Sequence, residues 1–242
     1  MDKIVKIFHS PYDLSKELAQ EMVNMMAESA EKDKQFTVAL SGGSTPGLLF
    51  TILSKDFAKS VSWKNVHIFW GDERCVPPGN AESNFWMAKK ILLDKIEIPD
   101  DNIHRIKGED DPAREAPRYS AEISVFTRKR DELPLFDLIL LGLGEDGHTA
   151  SIFPGNMELL NSDKVCDVAF HPVTRQKRIT ITGRIINNAD TVAFLVAGRK
   201  KEKIVEKMFK NDPSALKYPA SHIVPVYGSL KWFIDKEAGR LL

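Results

Sequence analysis

The segment Gly142-Leu143-Gly144-Glu145-Asp146-Gly147-His148-Thr149-Ala150 gathers glycines, two carboxylates and a histidine into one short stretch. Imidazole is the side chain best suited to moving protons near neutral pH, and Asp146 lies close enough in sequence to orient it. A lone histidine is as readily a surface or core residue, so its placement decides. Phe136-Asp137-Leu138-Ile139-Leu140-Leu141 immediately precedes it, an almost unbroken apolar run of the kind that forms a strand buried on both faces of a parallel sheet. Ligands of open parallel sheets bind beyond the carboxyl ends of the strands, which is where this turn is delivered.

Three further turns have the same character. Ser41-Gly42-Gly43-Ser44-Thr45-Pro46 separates an apolar strand from a helix. Its glycines let backbone N–H groups approach an anion, its hydroxyls add donors, and a helix N-terminus adds positive potential, so a phosphate monoester is the natural guest. The alternative is a helix start capped by Ser44 or Thr45. Gly71-Asp72-Glu73-Arg74 offers a guanidinium for bidentate capture of an anion, with Asp72 or Glu73 accepting from sugar hydroxyls; the alternative is an ion pair within the turn. Ala197-Gly198-Arg199-Lys200-Lys201 places Lys201 in the first turn of a helix, where a cation opposes the dipole unless a bound anion, or Glu202, compensates.

The elements that must position these turns alternate. Strands are expected at Ile4–Phe8, Phe36–Leu40, Val66–Trp70, from Phe136, near 165–170 and 178–182, and at Thr191–Val196. Helices are expected from Pro11 to about Lys32, with Leu14, Leu18, Met22, Met25 and Met26 on one face, from Pro46 or Gly47 to about Leu53, over 84–93 and 113–129, and from the 197–201 turn to about Lys210. The tail reads as a short extended segment at 223–226 and a closing helix over 232–238. This order predicts one α/β domain over residues 1–242, with a mostly parallel, Rossmann-like sheet covered by helices on both faces. Four rich turns then share one sheet edge and converge on one crevice.

Composition limits the partners. The 242 residues carry 34 Lys and Arg against 34 Asp and Glu, so no net field favours nucleic acid or an anionic membrane. Cys75 and Cys166 give neither a disulfide framework nor a ligand spacing and are expected as reduced thiols in the cytoplasm. The N-terminal Asp2–Phe8 alternates like a strand and has no signal-peptide character, and no apolar stretch approaches membrane-spanning length. The six histidines show no HExxH or other ligand pairing, so no metal is expected; the 41–46 turn is neither a Walker A loop nor GxGxxG, and no GxSxG elbow or dinucleotide-binding fingerprint occurs.

These segments in this order resemble the 6-phosphogluconolactonases, relatives of the glucosamine-6-phosphate isomerase/deaminase family. The matching pieces are SGGSTP at 41–46, GDER followed by VP at 71–77, SN at 83–84, LGLGEDGHTASIFPG at 141–155, RITIT at 178–182 and AGRKK at 197–201. Two departures stand out: Arg184-Ile185 replaces an expected proline-containing apolar segment, which leaves Arg178 and Arg184 competing for one role, and Arg199-Lys200 makes the last loop unusually basic. The resemblance implies hydrolysis of a phosphorylated sugar lactone by a monomer without a cofactor. It gives His148 as the base that activates water and Asp146 as its partner. Gly42, Gly43, Ser44, Thr45, Asp72, Arg74, Arg178 and Lys201 would bind substrate. Members acting on glucosamine 6-phosphate carry a glutamate in the loop after this histidine, where Phe153 stands here.

Overall fold

A computed structural model describes residues 2–242. In chain order the elements are β1 (Asp2–Phe8), α1 (Pro11–Glu31), β2 (Phe36–Leu40), α2 (Ser44–Asp56), β3 (Val66–Trp70), β4 (Asp72–Arg74), α3 (Asn84–Ile91), α4 (Pro112–Phe126), β5 (Arg128–Arg130), β6 (Leu133–Leu135), β7 (Leu138–Gly142), β8 (Cys166–Phe170), β9 (Lys177–Ile181), α5 (Gly183–Asn188), β10 (Thr191–Val196), α6 (Glu202–Phe209) and β11 (Ser229–Asp235).

Six strands form one sheet in the order β1-β11-β10-β7-β2-β3, and every pair is parallel. Every residue of β2, β3 and β10 is buried, as expected where helices cover both faces. From β2 the chain moves outward to β3, then returns to place β7 on the other side of β2. The switch point therefore lies between β2 and β7. Their ladder pairs Val38 with Leu138 and Ala39 with Ile139. Beyond Ala39 it stops, and the turns after the two strands diverge around a crevice.

Helix α1 begins at Ser10, whose Oγ accepts from the Asp13 amide at 3.2 Å, with Pro11 in the first turn. Leu14, Leu18, Met22 and Met26 on its apolar face are buried, while Met25 is only partly so. Each such burial stabilises by roughly 1.5–3 kcal/mol, more than any helix propensity in the segment supplies.

Three local expectations are corrected. Gly71–Arg74 is not a simple turn: the Gly71 amide donates to Leu40 O at 2.8 Å while its carbonyl accepts from Ile181, so the chain changes sheets there. Asp72–Arg74 becomes β4, the edge of a three-stranded antiparallel sheet in the order β4-β9-β8. The helix expected to reach 129 stops at Phe126, and a hairpin of β5 and β6 follows, turning through Asp131 and Glu132 at φ 49° and 63°. The tail forms no closing helix. Its apolar residues 232–234 fit a helical or an extended period, and two waiting partners decide: β11 inserts between β1 and β10.

Candidate active site

A cavity of about 360 Å³ opens at the switch point. Ser41, Gly42 and Gly43 line it from the end of β2, Asp72 and Arg74 from β4, Asn84 from α3, Gly142 to Glu145 and His148 from the end of β7 and the turn after it, Arg178 from β9 and Lys201 from the start of α6. The turns after β2, β7 and β10, remote in sequence, thus meet as the strand order requires, and β4 and β9 of the second sheet complete the lining.

The His148 turn is held closed by its own backbone: the Gly144 amide donates to His148 O at 2.8 Å, and the Gly147 amide to Gly144 O at 3.1 Å. Gly147 sits at φ 87°, a left-handed conformation glycine adopts without strain. His148 Nδ1 lies 2.5 Å from Asp146 Oδ1, and the His148 amide donates to the same oxygen at 3.1 Å. An ionised carboxylate only accepts, so Nδ1 carries the hydrogen, and in the neutral ring the lone pair is on Nε2. Burial would raise the Asp146 carboxyl, but the hydrogen bond and charge of His148 outweigh it and hold the group at about 2. The fully buried Phe153 ring packs 4.7 Å from the imidazole and fixes its other side.

Part of the lining is cationic. Arg74 and Arg178 are cross-strand partners on β4 and β9. Their Nε atoms are buried without a hydrogen-bond partner. Burial, and then the charge of Arg74, hold the Arg178 guanidinium below its ordinary value. Like charges placed directly opposite are unfavourable, so this pair favours an anion between them. Arg74 makes no ion pair within its turn; Nη1 donates to Glu82 O at 2.6 Å. Asp72 faces the cavity, accepting from Ser151 Oγ at 2.6 Å, and stands 4.0 Å from Arg178. Glu73 does not: its carboxylate is buried under α3, accepting from Ser83 Oγ and from the Asn84 and Phe85 amides.

At the start of α2 neither Ser44 nor Thr45 caps the helix. Gly43 is the N-cap, at φ 106°, and no side chain takes up the helix-end N–H groups. Ser44 and Thr45 lie in the first turn, outside the cavity wall. Lys201 ends a 3-10 turn (Arg199–Lys201) and is the N-cap of α6, not a residue of its first turn. Among the described residues it has no ion pair, because Glu202 lies near Arg199 and Arg240, and Lys200 near Glu145. Burial lowers its proton affinity, which nearby Glu145 and Asp146 partly offset. Arg184 is excluded from the cavity: it lies on α5 and pairs with Asp163.

With this geometry in hand, the comparisons are decisive about kinship. The family model described as glucosamine-6-phosphate isomerases/6-phosphogluconolactonase matches residues 9–232. The chain belongs to this family. It is 42% identical over 206 residues to the 6-phosphogluconolactonase of Haemophilus influenzae, covering 85% of this chain and 87% of that one. The solved structure of a protein called devB superposes with a TM-score of 0.93 at 38% identity, covering 98% of both chains. The structure of 6-phosphogluconolactonase from Trypanosoma brucei gives 0.89 at 27% identity, covering 100% of this chain and 99% of that one.

Within the isomerase/lactonase family frame, sequence reasoning passed over Asn84 as a site residue although SN at 83–84 was among the matching segments. Asn84 lines the cavity, its Nδ2 donating to Asp72 O at 2.9 Å, and it explains why residue 42 is glycine: a Cβ there would lie 1.9 Å from Asn84 Oδ1. Gly144 has the same logic, since a Cβ would lie 2.1 Å from His148 Nδ1. The signal available was a glycine at each point of closest approach, without any indication of what approaches. Among the described residues, no group of three or more His, Cys, Asp or Glu could hold a metal ion. Nor, among those residues, is any helix long and apolar enough to cross a membrane.

Proposed function

We propose that the protein hydrolyses 6-phospho-D-glucono-1,5-lactone to 6-phospho-D-gluconate, a step of the oxidative pentose phosphate pathway, with residues 1–242 acting as one catalytic unit. The observation that carries this reading is His148 facing a cationic cavity with Nδ1 committed to Asp146. Its similarity to proteins named 6-phosphogluconolactonase supports the substrate.

A δ-lactone is an activated ester, so one positioned water and one base suffice. His148 Nε2 removes a proton from water as its oxygen attacks the C1 carbonyl, and Asp146 stabilises the imidazolium that forms. Arg74 is placed to meet the developing oxyanion. On collapse, the bond between C1 and the ring oxygen breaks, and the imidazolium returns its proton to that oxygen. Lys201, Arg178 and the Gly42 and Gly43 amides hold the phosphate, and the first turn of α2 at Ser44–Thr45, though outside the cavity wall, adds the positive potential of a helix N-terminus. Asp72 accepts from a sugar hydroxyl.

Deamination of glucosamine 6-phosphate is disfavoured by Phe153, which is fully buried beneath His148 where that chemistry would use a glutamate. The test supplies both substrates under the same conditions. Lactone loss well above its spontaneous rate, without ammonia release from glucosamine 6-phosphate, is expected; comparable ammonia release would overturn the assignment.

A further inference from the structure

A second cavity, of about 440 Å³, shares no residue with the first. One wall is β11, where Leu230 and Trp232 stand two apart on the same face; the other is Phe209 at the end of α6 and the 3-10 turns of Pro213–Lys217 and Pro219–His222. Trp232 is clamped, stacked on Phe194 at 4.0 Å with Phe209 edge-on at 5.2 Å. The walls are mainly apolar, yet two polar groups on them are unaccounted for: Trp232 Nε1 and Ser221 Oγ are buried without a hydrogen-bond partner. Native proteins leave few such groups, and each calls for an explanation.

Charge gives the complementary clue. The Lys3 ammonium sits 4.3 Å above the Phe209 ring and, among the described residues, has no carboxylate partner. The Lys3 side chain as a whole is exposed on β1, and packing of its ammonium end against the ring holds its pKa below the ordinary lysine value. Asp212, the acid on the wall, is already committed to the 213–217 turn, its Oδ1 accepting from the Ser214 amide at 2.7 Å. An apolar chamber with an uncompensated cation and spare donors has the chemistry of a site for a small organic acid.

The chamber is also wired to the catalytic turn. Ala220 lines it, and its amide donates to Gly147 O at 3.1 Å, one residue before His148. Tyr218, between the two 3-10 turns, presses against Gly147 so closely that a Cβ there would lie 2.5 Å from its ring. We propose that this cavity binds a small carboxylic acid with an aromatic or branched apolar body, its carboxylate on Lys3, and that occupancy is transmitted through Tyr218 and Ala220 to the His148 turn.

Phenylacetate is the probe, with phenylacetamide as its uncharged counterpart. Isotope-labelled full-length protein is titrated while the indole N–H signal of Trp232, assigned by its loss in Trp232→Phe, is followed. This readout needs no turnover and so stands apart from the lactonase reading, on which only the rate measurement rests. A saturable shift of that signal is expected, with Lys3→Gln raising Kd about tenfold, the loss of one charge-assisted bond. Ser221→Ala should fold normally and weaken binding less. Saturating phenylacetate should change kcat for lactone opening, whereas Lys3→Gln alone should leave basal turnover unchanged. No shift of the Trp232 signal at about 10 mM probe, or equal affinities for acid and amide in both proteins, would overturn the site. Binding with unaltered turnover in an active lactonase would overturn the coupling.

Discussion

At the scale of the residue, everything turns on how Asp146 and His148 divide their atoms. Because Nδ1 is spoken for at 2.5 Å, the lone pair available to chemistry is on Nε2. His148→Ala is therefore expected to lower kcat by about 10²–10⁴, the span of a lost general base, with the fold intact by circular dichroism. The sign of the pH effect follows from the carboxylate. Its pKa is depressed to about 2, so the stabilisation of this pair is fully present above the ordinary carboxylate range and is lost only as pH falls through about 2. Turnover lost on milder acidification therefore does not come from the Asp146 carboxylate. Asp146→Asn should lower kcat strongly while retaining that acid limb; disappearance of the limb would make Asp146 the titrating group. Lys201, an unpaired cation at the start of α6, is expected to act on binding. Lys201→Ala should cost roughly 1.5–3 kcal/mol of phosphate binding, seen as a rise of about tenfold to a hundredfold in KM for the phosphorylated lactone. Unphosphorylated gluconolactone should be nearly unaffected, and the ligand-free melting temperature unchanged or slightly higher, because the conflict with the helix dipole is gone. Equal losses on both lactones would place the phosphate elsewhere.

At the scale of the element, the site depends on backbone that approaches side chains too closely for any Cβ. Gly144→Ala would drive a methyl into the His148–Asp146 pair, and misplacement of about 1 Å costs on the order of a hundredfold in kcat. Gly42→Ala would instead displace Asn84, so its kinetic effect should appear chiefly in KM; a kcat-only effect would place Asn84 in the chemical step. Glu73 is a positioning residue, tying β4 to the start of α3 through the amides of Asn84 and Phe85. Glu73→Ala should destabilise by about 1–3 kcal/mol for each orphaned buried donor, measured by denaturant unfolding. These elements also mark how far sequence could be read. The buried runs at 36–40, 66–70 and 191–196 were legible because a strand covered on both faces leaves an unbroken apolar string. The convergence of the turns after β2, β7 and β10 followed from parallel topology, whereas Asp72 and Arg74 arrive through the antiparallel pairing of β4 with β9. β4 was not legible, since Asp72-Glu73-Arg74 has no strand character and is recruited by pairing with β9. β11 was ambiguous for a related reason: the two-sided pairing that selects a strand at 229–235 is tertiary. Asn84 escaped as a site residue because its partner, Gly42, is remote in sequence.

At the scale of the whole molecule, a chain with no net charge concentrates Arg74, Arg178 and Lys201 around one cavity, opposed there by Asp72 and Glu145. Attraction of a phosphorylated substrate is thus local. KM should rise severalfold as ionic strength increases and the Debye length shrinks from about 10 Å at 0.1 M salt, while kcat holds nearly constant. A salt-independent KM would mean that the cations do not govern capture. The fold gives the site its place: the crevice between β2 and β7 is fixed by strand order. The most direct test of the central claim is a coupled assay in which 6-phosphogluconolactone is generated in place and its opening is followed beside spontaneous hydrolysis, with the unaltered protein and with His148→Ala. The account predicts strong acceleration by the former and near-spontaneous rates with the latter; acceleration that survives loss of His148 would contradict it.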